Sequence, residues 1–189
     1  MANLDFHIVK RIREQVALGG SRIALKHQVD NEWQGISWTQ FGEEMDAMSM
    51  ALLAFGLDVQ DKIGIFSNNM PQWTIADFAA LQIRAVTVPI YPTNTAEQAA
   101  YILQDADVKV LFVGEQPQFD AAVAMFEQCD QLQLIVAMSD AIALGDCDFA
   151  MSWQSFVALG ENISRERLDE RLEQANDDDL FTLIYTSGT

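Results

Sequence analysis

Between Lys62 and Met138 the spacing of apolar side chains alternates between two periods. The runs "KIGIF", "VTVPIY", "VKVLFVG" and "LQLIVAM" are short, continuous and rich in β-branched residues, as strands buried on both faces are. Between them, apolar positions recur every three or four residues. "PQWTIADFAALQIRA" opens on Pro71, which suits a first helical position because its missing N–H would have no intrahelical partner. "TAEQAAYILQDA" pairs Thr95 with Gln98 as a capping box and places Ala99, Ile102, Leu103 and Ala106 on one face. "PQFDAAVAMFEQC" supplies a third helix. Strands alternating with helices predict an α/β fold, a largely parallel sheet with helices on its faces.

Around this unit the pattern changes. "RIALKHQVDNEWQGISW" reads as a β-hairpin turning at Asp30 and Asn31. Phe41, Met45, Met48 and Leu52 form one face of a helix that starts after the capping candidate Thr39 and stops at Gly56. A helix also opens the chain, with Val9, Ile12 and Val16 on one face beside Lys10, Arg11 and Arg13. The stretch from Ser139 to Asn162 reads as an irregular excursion, followed by a helix over "SRERLDERLEQA" with Ser164 as its cap and Leu168, Leu172 and Ala175 inward. Phe181 to Tyr185 then reads as a last buried strand, running into Thr186, Ser187, Gly188 and Thr189. The boundary falls near Gly56 to Asp61, giving residues 1–60 (helix, hairpin, helix) and a doubly wound α/β unit over 61–189.

Composition narrows the function. The 189 residues are long enough for a core of their own, and 28 acidic against 11 basic side chains give a formal charge of -17, which disfavours a nucleic-acid partner. The two cysteines, Cys129 and Cys147, fall in different predicted elements and read as free thiols, which points to the cytoplasm. No apolar run reaches the roughly 18 residues of a transmembrane segment, and the opening residues lack a leader's apolar core. The basic residues of the first helix would suit a peripheral membrane contact, but they are few, and packing of its apolar face on the core is the reading adopted.

Candidate chemistry is sparse until the last residues. His7 and His27 lie apart with no ligand spacing around them, so no metal site is expected. Walker, dinucleotide-fingerprint and serine-hydrolase motifs are absent. Asp177, Asp178 and Asp179 read as a solvated turn, and Trp38, Trp73 and Trp153 as core or boundary aromatics. "YTSGT" is the exception: a strand that delivers hydroxyls and a glycine is suited to presenting backbone N–H groups to a phosphate, although the same residues also make ordinary turns.

"DDDLFTLIYTSGT" resembles the approach to the phosphate-binding signature of the AMP-forming acyl-adenylate enzymes. From about Arg22 to Thr189 the chain is similar, element by element, to the N-terminal part of acyl-CoA synthetases. "VTVPIYPTNTAEQAAYIL" is most like the long-chain fatty acid branch. The resemblance implies that Tyr185, Thr186, Ser187, Gly188 and Thr189 form the first half of a loop holding the phosphates of ATP. It also implies an acid–thiol ligase that uses Mg²⁺ and CoA and acts on a fatty acid, with its catalytic and metal-binding residues beyond Thr189. On that reading the chain is an inactive N-terminal portion: in the family its N-terminal helix and hairpin, within residues 1–60, pack on a neighbouring subdomain built from later sequence, so their apolar faces are expected to lack a partner and to drive self-association. Other acyl-adenylating enzymes, such as aryl-CoA ligases or adenylation domains, and a non-catalytic flavodoxin-like module remain the alternatives.

Overall fold

The computed structural model describes residues 7–186. Helix α1 (Ile8–Gly19) is followed by a hairpin of β1 (Ile23–Val29) and β2 (Glu32–Ser37), antiparallel, with Asp30 and Asn31 both at positive φ in its two-residue turn. Asparagine and aspartate tolerate that conformation better than other residues with a Cβ, which is why this pair specifies the turn. Helix α2 (Trp38–Phe55) begins two residues earlier than Thr39 as a cap suggests. Ser37, still extended at the end of β2, accepts the Gln40 N–H at 3.2 Å, the geometry an N-cap requires, whereas Thr39 is already helical. Gly56 closes the helix at φ 99°, a left-handed cap.

The α/β repeats follow as expected. They comprise β3 (Lys62–Phe66), α3 (Pro71–Gln82), β4 (Val86–Ile90), α4 (Ala96–Asp105), β5 (Val108–Val113), α5 (Gln116–Met125) and β6 (Leu134–Ala137). Pro71 opens α3, and the Thr95–Gln98 capping box is formed in both directions. The stretch after Ser139, expected to be irregular, contains a further strand, β7 (Ala150–Ser152), and helix α6 (Trp153–Ala158). All three residues of β7 are only partly buried, so apolar patterning does not mark them. They become a strand because the outer edge of β6 is open to backbone pairing. Helix α7 (Arg165–Glu173) completes the elements, and Ser164 precedes it without a side-chain capping bond.

The main sheet is parallel throughout, in the order β4-β3-β5-β6-β7. Alternate side chains of each strand feed two cores. Ile63, Ile65, Val110, Phe112 and Val136 face α2, α3, α6 and α7, while Val88, Val108, Leu111, Val113 and Ile135 face α4 and α5. Phe112 meets Trp153 and Phe156 edge-on, with ring centroids 5.9 and 5.7 Å apart. Residues on both sides of the Gly56–Asp61 boundary share the first core, which contains Ile36, Met45 and Leu52 together with the strands. Val9 is buried, and Ile12 and Val16 pack against the same core, so the apolar face of α1 has partners within the chain. Trp38, Trp73 and Trp153 pack at the margin of that core, and Cys129 and Cys147 are free thiols.

Candidate functional site

In a parallel α/β sheet, ligands gather beyond the carboxyl ends of the strands, near the point where successive connections diverge. Here β3 lies between the edge strand β4 and the central strand β5, so the chain crosses over β3 in passing from β4 to β5. Their carboxyl ends bring together Ser67, Asn68, Tyr91, Gly114 and Glu115. Asn68 donates to Glu115 Oε2 at 3.1 Å, and a Cβ at Gly114 would lie 2.0 Å from Ser67 Oγ, so only glycine allows these two strand ends to meet as they do.

Residues 179–186 form a strap along the free edge of β4. Phe181 to Tyr185 is not a strand: the segment makes one parallel bridge, Thr87 with Thr182. In it the Thr87 N–H donates to Phe181 O at 3.1 Å and the Leu183 N–H to Thr87 O at 3.0 Å. Leu183 and Tyr185 pack against the second core, but Leu180, Phe181 and Ile184 are 55, 52 and 65 % exposed. Among the described residues there is no further surface on the outer side of the strap to bury them, so one face packs and the pairing goes no further. The parallel direction carries Tyr185 and Thr186 to the carboxyl end of the sheet.

Two clefts flank that end of the strap. One, of about 290 Å³, lies between Ser67, Trp73, Pro89 and Ile184. The other, of about 500 Å³, is lined by Tyr91, Asn94, Gln98, Tyr101, Tyr185 and Thr186, with Glu97 as its charged group. Tyr185 donates its hydroxyl to Asp105 Oδ2 at 2.6 Å, and its ring meets Tyr101 edge-on at 6.4 Å. Its pKa is pushed up to about 12, first by burial and then by the bond to Asp105 and the neighbouring negative charge. The phenol therefore stays protonated and acts as a donor. Of the sequence-predicted site residues, Tyr185 and Thr186 stand at this cleft, while Ser187, Gly188 and Thr189 lie outside the described residues.

The residues that hold the strap were not singled out in the sequence. Arg84 forks both carboxylate oxygens of Asp179 at 2.9 Å each, and that guanidinium holds the Asp179 carboxyl below the usual carboxylate range. Asp179 is thus an ion-pair partner rather than part of a solvated turn, whereas Asp177 and Asp178 are exposed. Gln60 accepts the Leu180 N–H at 3.0 Å and donates to Leu180 O at 3.2 Å. These contacts join residues 95 and 120 positions apart, beyond the reach of any local pattern. Among the described residues, no three histidine, cysteine or acidic side chains converge as metal ligands, and no helix is long and apolar enough to cross a membrane.

Comparison with known proteins agrees with this architecture. The profile of a family described as AMP-binding enzyme matches residues 12–189. The chain is 28% identical over 177 residues to the long-chain-fatty-acid–CoA ligase ACSBG2 of Xenopus laevis, covering 94% of this chain and 24% of that protein. It is 31% identical over 163 residues to the long-chain-fatty-acid–CoA ligase FadD15 of Mycobacterium tuberculosis, covering 85% and 26%. It thus spans about a quarter of the length of these relatives. In fold it is similar to the coronafacic acid ligase of Pectobacterium brasiliense, with a TM-score of 0.79 at 16% identity over 94% of this chain and 33% of that one. It is also similar to the anthranilate CoA ligase AuaEII in complex with anthranoyl-AMP, with a TM-score of 0.70 at 19% identity over 79% and 27%. With the family profile spanning nearly all of a parallel α/β unit whose strap ends in Tyr185 and Thr186, the chain belongs to the AMP-binding enzyme family.

Proposed function

We propose that these residues serve an ATP-dependent, AMP-forming acyl-CoA synthetase whose acid is a long-chain fatty acid, and that Tyr185 to Thr189 contribute the first half of its ATP phosphate cradle. The observation that carries this reading is the strap. It runs parallel to β4 and brings Tyr185 and Thr186 to the carboxyl ends of the strands, where a phosphate would meet backbone N–H groups and hydroxyls. The long-chain preference is supported by the names of the relatives and by the likeness of "VTVPIYPTNTAEQAAYIL" to that branch.

In this reaction a carboxylate oxygen attacks the α-phosphorus of ATP, the bond to pyrophosphate breaks, and an acyl-adenylate forms. The CoA thiol then displaces AMP to give the thioester. The Thr186 and Ser187 hydroxyls and the loop N–H groups would hold the β- and γ-phosphates, and Gly188 would let the backbone approach them closely. Mg²⁺, when bound, would offset charge on the phosphates; the described residues assign it no ligand. Among the described residues, no lysine or arginine lines the cleft at Thr186. The test is pyrophosphate release by the intact protein with ATP, CoA and a panel of acids. Turnover on long-chain fatty acids ahead of aryl acids supports the reading, turnover on aryl acids alone overturns the substrate class, and no turnover with any acid overturns the activity.

A further inference from the structure

Five residues with a side chain adopt positive φ among the described residues: Asp30, Asn31, Gln60, Arg84 and Asp107. Three are aspartate or asparagine, which tolerate the left-handed region because their short side chains bond locally. Gln60 and Arg84, both at φ 65°, are not of that kind, and glycine would hold either turn without strain. Both spend their long polar side chains on the same object. Arg84 forks Asp179, and Gln60 brackets the backbone of Leu180, the next residue. The two are also tied to each other, since the backbone N–H of Gln60 donates to Arg84 O at 2.7 Å and its side-chain amide donates to the same oxygen at 3.2 Å. The Arg84 and Asp179 side chains are 15 and 11 % exposed, so their fork is largely shielded from water and salt.

We infer that Gln60 and Arg84 are positioning residues, a two-armed clamp that seats Asp179 and Leu180 and thereby sets where Tyr185 and Thr186 stand for ATP. The inference rests on the proposed phosphate role of the strap and adds to it the residues that aim it. A polar side chain kept in a strained backbone position points to a task that glycine would not perform. The clamp ends at Leu180, one residue ahead of Phe181, whose carbonyl accepts the Thr87 N–H, and five ahead of Tyr185. Beyond the clamp, the described residues of the strap are held by the bridge at Thr87, the Tyr185–Asp105 bond and the packing of Leu183 and Tyr185 on the second core.

The experiment uses Arg84→Gly, Gln60→Gly and Arg84→Lys in the intact protein, with amide exchange, thermal unfolding and turnover as readouts. Arg84→Gly relieves backbone strain but leaves the largely shielded Asp179 carboxylate without its partner, so the Tm should fall, and protection of the β5 amides is the control that the sheet itself stays folded. Exchange of the Leu183 amide should rise about tenfold while amides of β5 stay protected. The kcat for acyl-adenylate formation should fall about tenfold with KM for the acid unchanged, because only the phosphates lose their alignment. Arg84→Lys keeps the charge without the fork and should fall between parent and glycine variant. Unchanged Leu183 exchange in both glycine variants overturns the clamp, and a loosened strap with undiminished kcat overturns its positioning role. If the intact parent forms no adenylate, the proposed function fails, and amide exchange alone decides whether Gln60 and Arg84 hold the strap.

Discussion

Removing the Tyr185 hydroxyl tests how the strap is fastened at its far end. Tyr185→Phe deletes the 2.6 Å bond to Asp105 and preserves the edge-on contact with Tyr101. A hydrogen bond to a charged acceptor contributes about 1.5–3 kcal/mol when sheltered. Asp105 is exposed, so solvent screens the pair and the expected loss is reduced to about 1 kcal/mol. The bond also has a pH signature. Folding raises the phenol from 10.0 to about 12, so its contribution is fully present below pH 10 and is lost as the pH rises through 12. The chain has three tyrosines, so a stopped-flow alkaline jump read by phenolate absorbance before unfolding should resolve one late component. That component should vanish in Tyr185→Phe. In Asp105→Asn it should move only part of the way back, because burial is the larger cause of the shift. A phenolate signal with no late component that disappears in Tyr185→Phe, together with no stability lost in that variant, would refute the bond and the donor role assigned to this phenol.

Phe156→Ala should cost about 3–5 kcal/mol, read as a lowered midpoint in urea, because the ring is fully buried between Phe55 and Phe112 and its removal leaves a cavity in the first core. Burial pushes the Asp77 carboxyl above its usual range, so its favourable contribution is present below about pH 3.8 and is lost as the pH rises through the raised value. Asp77→Asn should therefore raise the Tm at neutral pH and flatten the dependence above that point, as checked by thermal unfolding across the range. The 189-residue chain alone should bind ATP no more tightly than about millimolar, or roughly 4 kcal/mol, in calorimetry, and should release no pyrophosphate, since its net charge is -17 and no cation among the described residues lines the cleft at Thr186. The exposed row of Leu180, Phe181, Ile184, Tyr91 and Tyr101 should drive that chain to self-associate, and a clean monomer in concentrated light scattering would count against it.

The alternation of buried strands with amphipathic helices determined the α/β class, because a parallel sheet covered on both faces leaves a repeating apolar signature in the chain. Local chemistry fixed the Asp30–Asn31 turn, the Pro71 and Thr95 helix starts and the Gly56 stop, each a matter of a few neighbouring residues. "YTSGT" was legible only as a family likeness, because local chemistry allows the same residues an ordinary turn. Tertiary structure decided the rest. β7 has no apolar pattern and exists because β6 offers an edge. Phe181 to Tyr185 has a strand's composition but makes a single bridge, because a strand requires a ladder along its length as well as apolar residues. The clamp of Gln60 and Arg84 on Asp179 and Leu180, and the seat of Tyr185 on Asp105, join residues 80 to 120 positions apart. Sequence periodicity reports which faces are buried; it carries no information about which distant polar group a side chain meets, because that depends on how the buried faces pack.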